Sequence, residues 1–131
     1  MHQGKPFERV FSGAPWEAVV GYCRVLEAGD RIFVTGTAPV ARDGGVHAPG
    51  DAYAQAVRCL EIIQENLAKL DVGLDRVTRT RMFVTDITRW EEFGRAHAEA
   101  FGDHPPTTTM VEVRRLIDPG MLIEIEADAV R

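Results

Sequence analysis

Alternation of apolar and polar residues with a period of two predicts β-strands near both ends of the chain. Two of the N-terminal strands are separated only by Gly29-Asp30, which fits a two-residue hairpin turn. Two prolines precede Thr107, and the β-branched threonines after them suit the start of a strand. The six predicted strands cover residues 7–12, 22–28, 31–37, 77–85, 107–115 and 121–130.

The middle of the chain changes to a helical period of three to four residues. A first helix is predicted over residues 51–70, with Asp51 as its N-cap and Gly73 just past its end. A second helix is predicted to begin at the capping box Thr88-Arg89-Trp90-Glu91. Its apolar stripe comprises Trp90, Phe93, His97 and Phe101. The resulting order, βββαβαββ, indicates an α+β fold with one mixed sheet and both helices on one face.

The opposite face of the predicted sheet is polar. Alternation places three acids on this face of the last strand. It places two arginines and Phe83 on the same face of the strand at 77–85, so the face carries both charges. One interpretation is a solvated face with weak cross-strand ion pairs. The other is a face that a partner subunit covers, because Phe83 and Met110 are predicted to lie on it and are apolar. We call this surface the polar face; its charged residues are Arg79, Arg81, Glu124, Glu126 and Asp128.

Composition favours one domain, residues 1–131, of an ordinary globular class. A net charge of −5 disfavours a nucleic-acid partner. Apolar runs are too short to span a membrane, so we expect no membrane association. Cys23 and Cys59 are far apart and form no CxxC pair, which favours reduced thiols and a cytoplasmic protein.

Motifs of metal and cofactor chemistry are not found in the sequence. It contains no P-loop, no GxGxxG and no nucleophile elbow. The histidines are scattered, and His97 lies on an apolar helix face, so a core role is favoured over metal binding. We therefore expect neither a cofactor nor a metal.

Five stretches between residues 21 and 131 follow one another in an order typical of a known family: GYCRVLEAGDRIFVTGT, QAVRCLEIIQENLAKL, RTRMFVTDITRWEEF, PPTTTMVEVRRL and IEIEADAVR. In these the chain resembles the Rid family of reactive intermediate deaminases, also called YjgF-like or endoribonuclease L-PSP proteins. The resemblance implies a chorismate-mutase-like fold, a homotrimer and ligand clefts between subunits. It also implies hydrolysis of enamines and imines, such as 2-aminoacrylate, without cofactor or metal.

Site residues follow from the same resemblance. It assigns ligand positioning to Tyr22, which follows a glycine, and to Gly36, and it makes Glu124 the catalytic residue. The family's carboxylate-binding arginine corresponds to Thr108 here. A threonine offers one neutral hydroxyl where arginine offers a charged fork, so the chain is expected to be a divergent member with altered specificity.

The nature of the ligand follows from the pocket lining. Thr108, Met110 and Tyr22 together with Glu124 would give a pocket whose fixed charge is negative, suited to a small neutral or cationic planar ligand. Arg81 is the candidate that replaces the missing arginine; pairing with Glu124 or with Glu126 is its competing role.

Three functions remain open at this point. The first is a cofactor-independent hydrolase or deaminase acting on C–N bonds, with Glu124 as general acid and base. The second is a non-catalytic module that binds a metabolite. The third is an endoribonuclease, which net charge −5 and the lack of a basic, aromatic groove disfavour.

Overall fold

The computed structural model describes residues 6–131 and has the predicted order βββαβαββ. His2, one of the histidines considered above, lies outside the described residues. The strands are β1 (Glu8–Val10), β2 (Val25–Ala28), β3 (Arg31–Thr37), β4 (Val77–Val84), β5 (Thr107–Glu112) and β6 (Ile123–Val130). The helices are α1 (Ala52–Ala68) and α2 (Trp90–Phe101). In the described part of the chain, no helix combines the length and apolarity needed to cross a membrane.

All six strands form one mixed sheet in the order β1-β2-β3-β6-β4-β5. The β4–β5 pair is parallel and every other pair is antiparallel. The last strand of the chain therefore lies in the middle of the sheet, between β3 and β4. Strands β1 and β5 form the two edges, and β5 carries the three threonines.

Both helices pack on the same face of the sheet, as predicted. The Cys59 thiol of α1 contacts the carbonyl oxygen of Ile123 at 3.9 Å, and the His97 ring of α2 contacts Thr80 at 2.7 Å. Residues Ile123 and Thr80 are fully buried and belong to the alternating sets of β6 and β4 that face the helices. Between these layers lies one hydrophobic core, whose largest fully buried members include Phe93 and Phe101.

Both ends of α1 lie within about two residues of the predicted bounds. Asp51 is the N-cap and accepts a hydrogen bond from the Ala54 amide at 2.9 Å. At the other end Asp71, not Gly73, takes the left-handed conformation, with φ of 60°. The Val72 amide then donates back to the Leu67 carbonyl at 3.1 Å, as in a Schellman motif. Gly73 lies past the end of the helix, as predicted, while Asp71 supplies the left-handed residue because aspartate also tolerates this conformation.

The predicted capping box of α2 is also wrong. The Asp86 carboxylate accepts hydrogen bonds from the Thr88 amide at 3.0 Å and from its hydroxyl at 2.5 Å. These bonds fix a 3₁₀ turn, Ile87–Arg89, and α2 begins after it with Arg89 as an N-cap whose side chain makes no capping bond. Thr88 lies inside this turn and not at the N-cap of α2, so the capping box does not form.

Met110 lies on the helix side of the sheet and not on the polar face. The parallel register pairs Met82 with Met110 and Phe83 with Val111. Paired residues of neighbouring strands project to the same face, so Met110 packs against the core as Met82 does. The prediction that Phe83 and Met110 share one face was wrong. It assumed a β4–β5 register shifted by one residue from the observed one, and such a shift moves a side chain to the other face.

Candidate functional site

Glu124 and Gly36 approach one another closely where β3 is irregular. The β3–β6 register shifts between Val34 and Thr37. A Cβ atom added to Gly36 would lie 2.6 Å from Oε2 of Glu124, closer than van der Waals contact permits. A side chain at position 36 would therefore displace the Glu124 carboxylate from its place beside the backbone of β3.

The Glu124 carboxyl group is half-buried and makes no hydrogen bond or ion pair with the described residues. Burial raises its pKa, the charge of Arg24 acts to lower it, and the neighbouring charge of Glu126 raises it further. A raised pKa moves a carboxyl group toward the range in which it exchanges protons near neutral pH. A raised pKa is the direction of shift that a general acid and base requires.

Arg24 is a buried charge that the sequence patterns did not identify as a site residue. Its guanidinium donates to the Gly36 carbonyl at 2.9 Å and to the Thr37 hydroxyl at 3.4 Å, and lies 3.6 Å from the Glu17 carboxylate. Its buried Nε has no hydrogen-bond partner among residues 6–131. The available signal was a charged residue at the start of an apolar strand, in YCRVL.

Glu17 neutralises Arg24 from a turn that was not predicted. The five-residue π-helical turn Glu17–Gly21 buries Glu17, which accepts bonds from the Ser12 amide and hydroxyl. Burial acts to raise the pKa of Glu17, but the bonds from Ser12 and the charge of Arg24 outweigh it and lower the pKa. The pair is therefore ionised and holds the Gly36 carbonyl in place.

Tyr22 and Arg81 line one recess of about 480 Å³ on the polar face. Arg81 donates to Glu126 at 2.9 Å and lies 3.9 Å from Asp128, so it pairs with acids of the neighbouring strand. This is the competing role considered for Arg81, with Glu126 as its partner. The Tyr22 ring centre lies 5.7 Å from the guanidinium carbon of Arg24, which links this recess to the surroundings of Glu124.

Thr108 ends a chain of hydrogen bonds that starts inside α2. Nε2 of buried His97 lies 2.7 Å from the Thr80 hydroxyl, which lies 2.7 Å from the Thr108 hydroxyl. Burial lowers the pKa of His97 and so favours the neutral ring. If Nε2 carries the proton, His97 donates to Thr80 and Thr80 to Thr108, and the Thr108 proton remains free to donate outward. The exposed Thr108 hydroxyl is thereby oriented from the core.

Comparisons with known proteins agree with this architecture. Residues 12–131 match the model of the family described as endoribonuclease L-PSP. The chain belongs to this family, which also includes the YjgF and Rid proteins. A Streptomyces coelicolor protein is 36% identical over 123 residues, covering 94% of this chain and 91% of its own.

Solved structures of family members superpose closely. A YjgF/YER057c/UK114 family member from Mycobacterium tuberculosis has 42% identity and a TM-score of 0.87, covering 96% of this chain and all of its own. The Escherichia coli YjgF gene product has 27% identity and a TM-score of 0.83, covering 95% and 98%. The α+β fold inferred from the family resemblance is therefore confirmed.

A single protomer of this L-PSP family member divides the predicted site between two faces. Glu124 lies beside Gly36, and Tyr22 lies near Arg81, all on or near the polar face. Thr108 and Met110 lie on the helix side of edge strand β5. One chain alone does not place Thr108 and Met110 beside Glu124. Within residues 6–131, no group of three His, Cys, Asp or Glu side chains is arranged to hold a metal ion.

Proposed function

We propose that this protein is a small-molecule hydrolase of the Rid type that acts on C=N bonds, with Glu124 as its general acid and base. The observation that carries the proposal is the Glu124 carboxyl group, which has a raised pKa and no hydrogen-bond or ion-pair partner beside Gly36. Glu126 on the same strand differs from Glu124 because its carboxylate is engaged in an ion pair with Arg81. A free carboxyl in a restricted space is what proton transfer to a bound ligand needs.

The reaction needs only water and one group that both accepts and donates a proton. Water adds to the imine carbon while Glu124 removes one of its protons, and Glu124 passes this proton to the imine nitrogen. In the resulting carbinolamine Glu124 takes the remaining hydroxyl proton and delivers it to the nitrogen as the C–N bond breaks, so the oxygen becomes a carbonyl and the nitrogen leaves as an amine or ammonia. No step requires a redox group, in keeping with the cofactor-free activity proposed.

The full ligand cleft is proposed to form between subunits of a homotrimer. A second copy that brings its β5 edge to the polar face of the first would join Thr108 and Met110 to Glu124 and Tyr22. In this cleft Thr108 supplies a hydroxyl where the family resemblance calls for arginine. The expected ligand is small, planar, and neutral or cationic, because Glu124 would repel a free carboxylate.

Catalysis by Glu124 is tested with a matched pair of substitutions. Imines and enamines without a carboxylate would be offered to the wild type, Glu124→Gln and Glu126→Gln, and release of ammonia or amine would be followed. We expect Glu124→Gln to reduce kcat by at least about 100-fold, in line with loss of a general acid–base group, while Glu126→Gln retains most activity. Equal activity of Glu124→Gln and wild type would refute the role of Glu124.

Ligand preference is tested by restoring the family arginine. Thr108→Arg should strengthen binding of pyruvate or 2-ketobutyrate, measured by calorimetry, by about tenfold or more, since a charged hydrogen bond contributes roughly 1.5–3 kcal/mol. Thr109→Arg on the same strand is the control and should give no comparable gain. Stronger carboxylate binding by the wild type would contradict the proposed role of Thr108.

A non-catalytic metabolite-binding module is the second candidate. It is favoured by the pairing of Arg81 with Glu126 and Asp128, because this pairing leaves Glu124 as the carboxyl group available to a ligand in this region. Saturable binding that Glu124→Gln weakens, without turnover by any form, would establish this role instead. An endoribonuclease is least supported, since the net charge is −5 and the polar face is rich in acids.

A further inference from the structure

A second cavity, of about 470 Å³, lies away from the polar face. It is enclosed by the segment 12–16 before the π-helical turn, by the loop 38–44 after β3, and by the later turns of α1. Its volume is in the range of small-molecule sites. Neither Glu124, Tyr22 nor Thr108 lines it. Arg24 contributes to its wall and also donates to the Gly36 carbonyl, so the two sites are neighbours with different ligand-facing residues.

The lining of this cavity carries an excess of positive charge in a protein whose net charge is −5. Four cations line it, Arg24, Arg42, Arg58 and Lys69, against one carboxylate, Glu65. Glu65 is shared between Arg42 at 3.0 Å and Arg58 at 3.7 Å. Lys69 contacts only the neutral Asn66 side chain, at 3.2 Å. Arg58 also lies 3.7 Å from the Glu61 carboxylate, and Glu17 neutralises Arg24. Within residues 6–131, Lys69 is therefore the cation of this cavity that makes no ion pair.

Arg58 and Arg24 give the cavity a fixed inner wall. Arg58 is buried, and its Nε donates to the Val40 carbonyl at 2.8 Å, so α1 holds the cavity loop in place. Arg24 is 5% exposed and is held by the Gly36 carbonyl and the Glu17 carboxylate, so it shapes the wall without adding net charge. A fixed guanidinium such as that of Arg58 favours an anion through charge and through directed donors.

Apolar side chains complete the lining and indicate the body of the ligand. Trp16, Val40 and Ile62 contribute to the same cavity. A cavity that combines an aromatic ring and aliphatic groups with excess cations suits a molecule with an apolar part and an anionic head. We propose that this cavity is a binding site for a small organic anion, a carboxylate or a phosphate monoester with an apolar body.

Trp16 provides a direct optical report on the cavity. The chain has two tryptophans, and Trp90 is exposed on α2. In a Trp90→Phe background, Trp16 is the single source of tryptophan fluorescence. Phenyl phosphate and benzoate would be titrated as anionic probes, with phenol as the neutral probe of similar shape. We expect saturable quenching by at least one anion and weaker binding of phenol; the anion that binds more tightly identifies the head group.

Substitution of exposed charged residues tests whether the fluorescence quenching arises from an anion in this cavity, and it leaves the hydrophobic core unchanged. Arg42→Gln/Lys69→Gln should raise the Kd of the anion about tenfold or more. Arg114→Gln/Arg115→Gln makes the same change in net charge at exposed residues that do not line the cavity, and it should leave Kd within about twofold. Absence of saturation up to about 10 mM, equal binding of phenol, or equal weakening by both double variants would each overturn the proposal.

Discussion

Three consecutive threonines of β5 have different roles, although their side chains are identical. Thr107 donates to the Thr78 carbonyl at 2.8 Å, and Thr108 is bound to Thr80. Thr109 makes no side-chain hydrogen bond within the described residues. The β4–β5 register places Thr108 opposite Thr80, whose hydroxyl also contacts His97. Thr108, the residue in the family's arginine position, is therefore the threonine whose hydroxyl is bound by a buried side chain.

Removal of the Thr80 hydroxyl should destabilise the protein. Thr80→Val keeps the shape of the side chain but leaves Nε2 of His97 and the Thr108 hydroxyl without their partner. We expect the free energy of unfolding in urea to fall by about 1–3 kcal/mol, the cost of an unsatisfied buried polar group. Thr109→Val is the control and should change it by less than about 0.5 kcal/mol. An unchanged free energy of unfolding in Thr80→Val would mean that the hydrogen bonds from His97 through Thr80 do not order Thr108.

Glu124 should reduce stability at neutral pH and not at acidic pH. Its folded-state pKa lies above the usual 4.5, chiefly through burial. A carboxyl with a raised folded-state pKa favours folding below its unfolded pKa, and this contribution is lost as the pH rises through the folded pKa. Glu124→Gln should therefore be more stable than wild type at about pH 7, and the difference should shrink toward about pH 4.

Urea midpoints of both forms across this pH range check the sign of the effect. Glu126→Gln, which breaks an ion pair with Arg81, serves as the comparison. A stability difference between wild type and Glu124→Gln that does not vary with pH would show that the Glu124 carboxyl is not perturbed by burial. A buried, unpaired acid kept at a stability cost is the pattern expected of a functional group.

The sequence identified the site residues that belong to a family motif, but not those whose contacts depend on the three-dimensional arrangement of several elements. Gly36 and Glu124 were predicted through the family resemblance, and a Cβ atom at position 36 would lie 2.6 Å from the Glu124 carboxylate, which supplies a physical reason for the glycine. Arg24 and Glu17 were missed, because their pairing depends on a π-helical turn that has no simple sequence signal. The hydrogen bonds from His97 through Thr80 to Thr108 were missed because they join α2, β4 and β5, and the β4–β5 register that aligns Thr80 with Thr108 was not predicted.

At the level of elements, the alternation and helical periods predicted the strands and helices well, and local caps less well. Strand β3 has the predicted bounds, and α1 lies within the predicted 51–70. Gly73 lies past its end as predicted, but the left-handed residue that closes the helix is Asp71. The face of Met110 was misassigned because the β4–β5 register cannot be read from β5 alone.

The N-cap of α1 can be tested with a pair of variants at one position. Asp51→Ala removes the acceptor of the Ala54 amide and should lower the free energy of unfolding by about 0.5–2 kcal/mol. Asp51→Asn keeps an acceptor while it removes the charge, and should cost much less. Chemical denaturation of both variants gives the comparison. Equal losses would assign the effect to the charge and the helix dipole and not to the capping bond.

At the scale of the whole molecule, the sheet has one face covered by helices and one face uncovered. The uncovered polar face has ion pairs such as Arg81–Glu126, but Phe33 and Val111 on it are 46% and 42% exposed. Register places Phe33 opposite Asp128 and Val111 beside Phe83. Apolar side chains interleaved with charges over one continuous surface are typical of an interface between subunits. The edge strand β5 next to it also has unpaired backbone groups.

We therefore predict that the protein is a homotrimer, with a mass in light scattering of about three times the 14.5 kDa of one chain. Phe33→Lys should shift the mass toward that of the monomer, because it places a charge in the proposed interface, while the ion pair it can form with Asp128 keeps the fold intact. Trp90→Lys, a similar change of a 57% exposed residue on α2, should leave the mass unchanged. Circular dichroism would show that both variants are folded. A wild-type mass near 14.5 kDa at micromolar concentration would exclude both the trimer and a cleft that joins Thr108 of one chain to Glu124 of another.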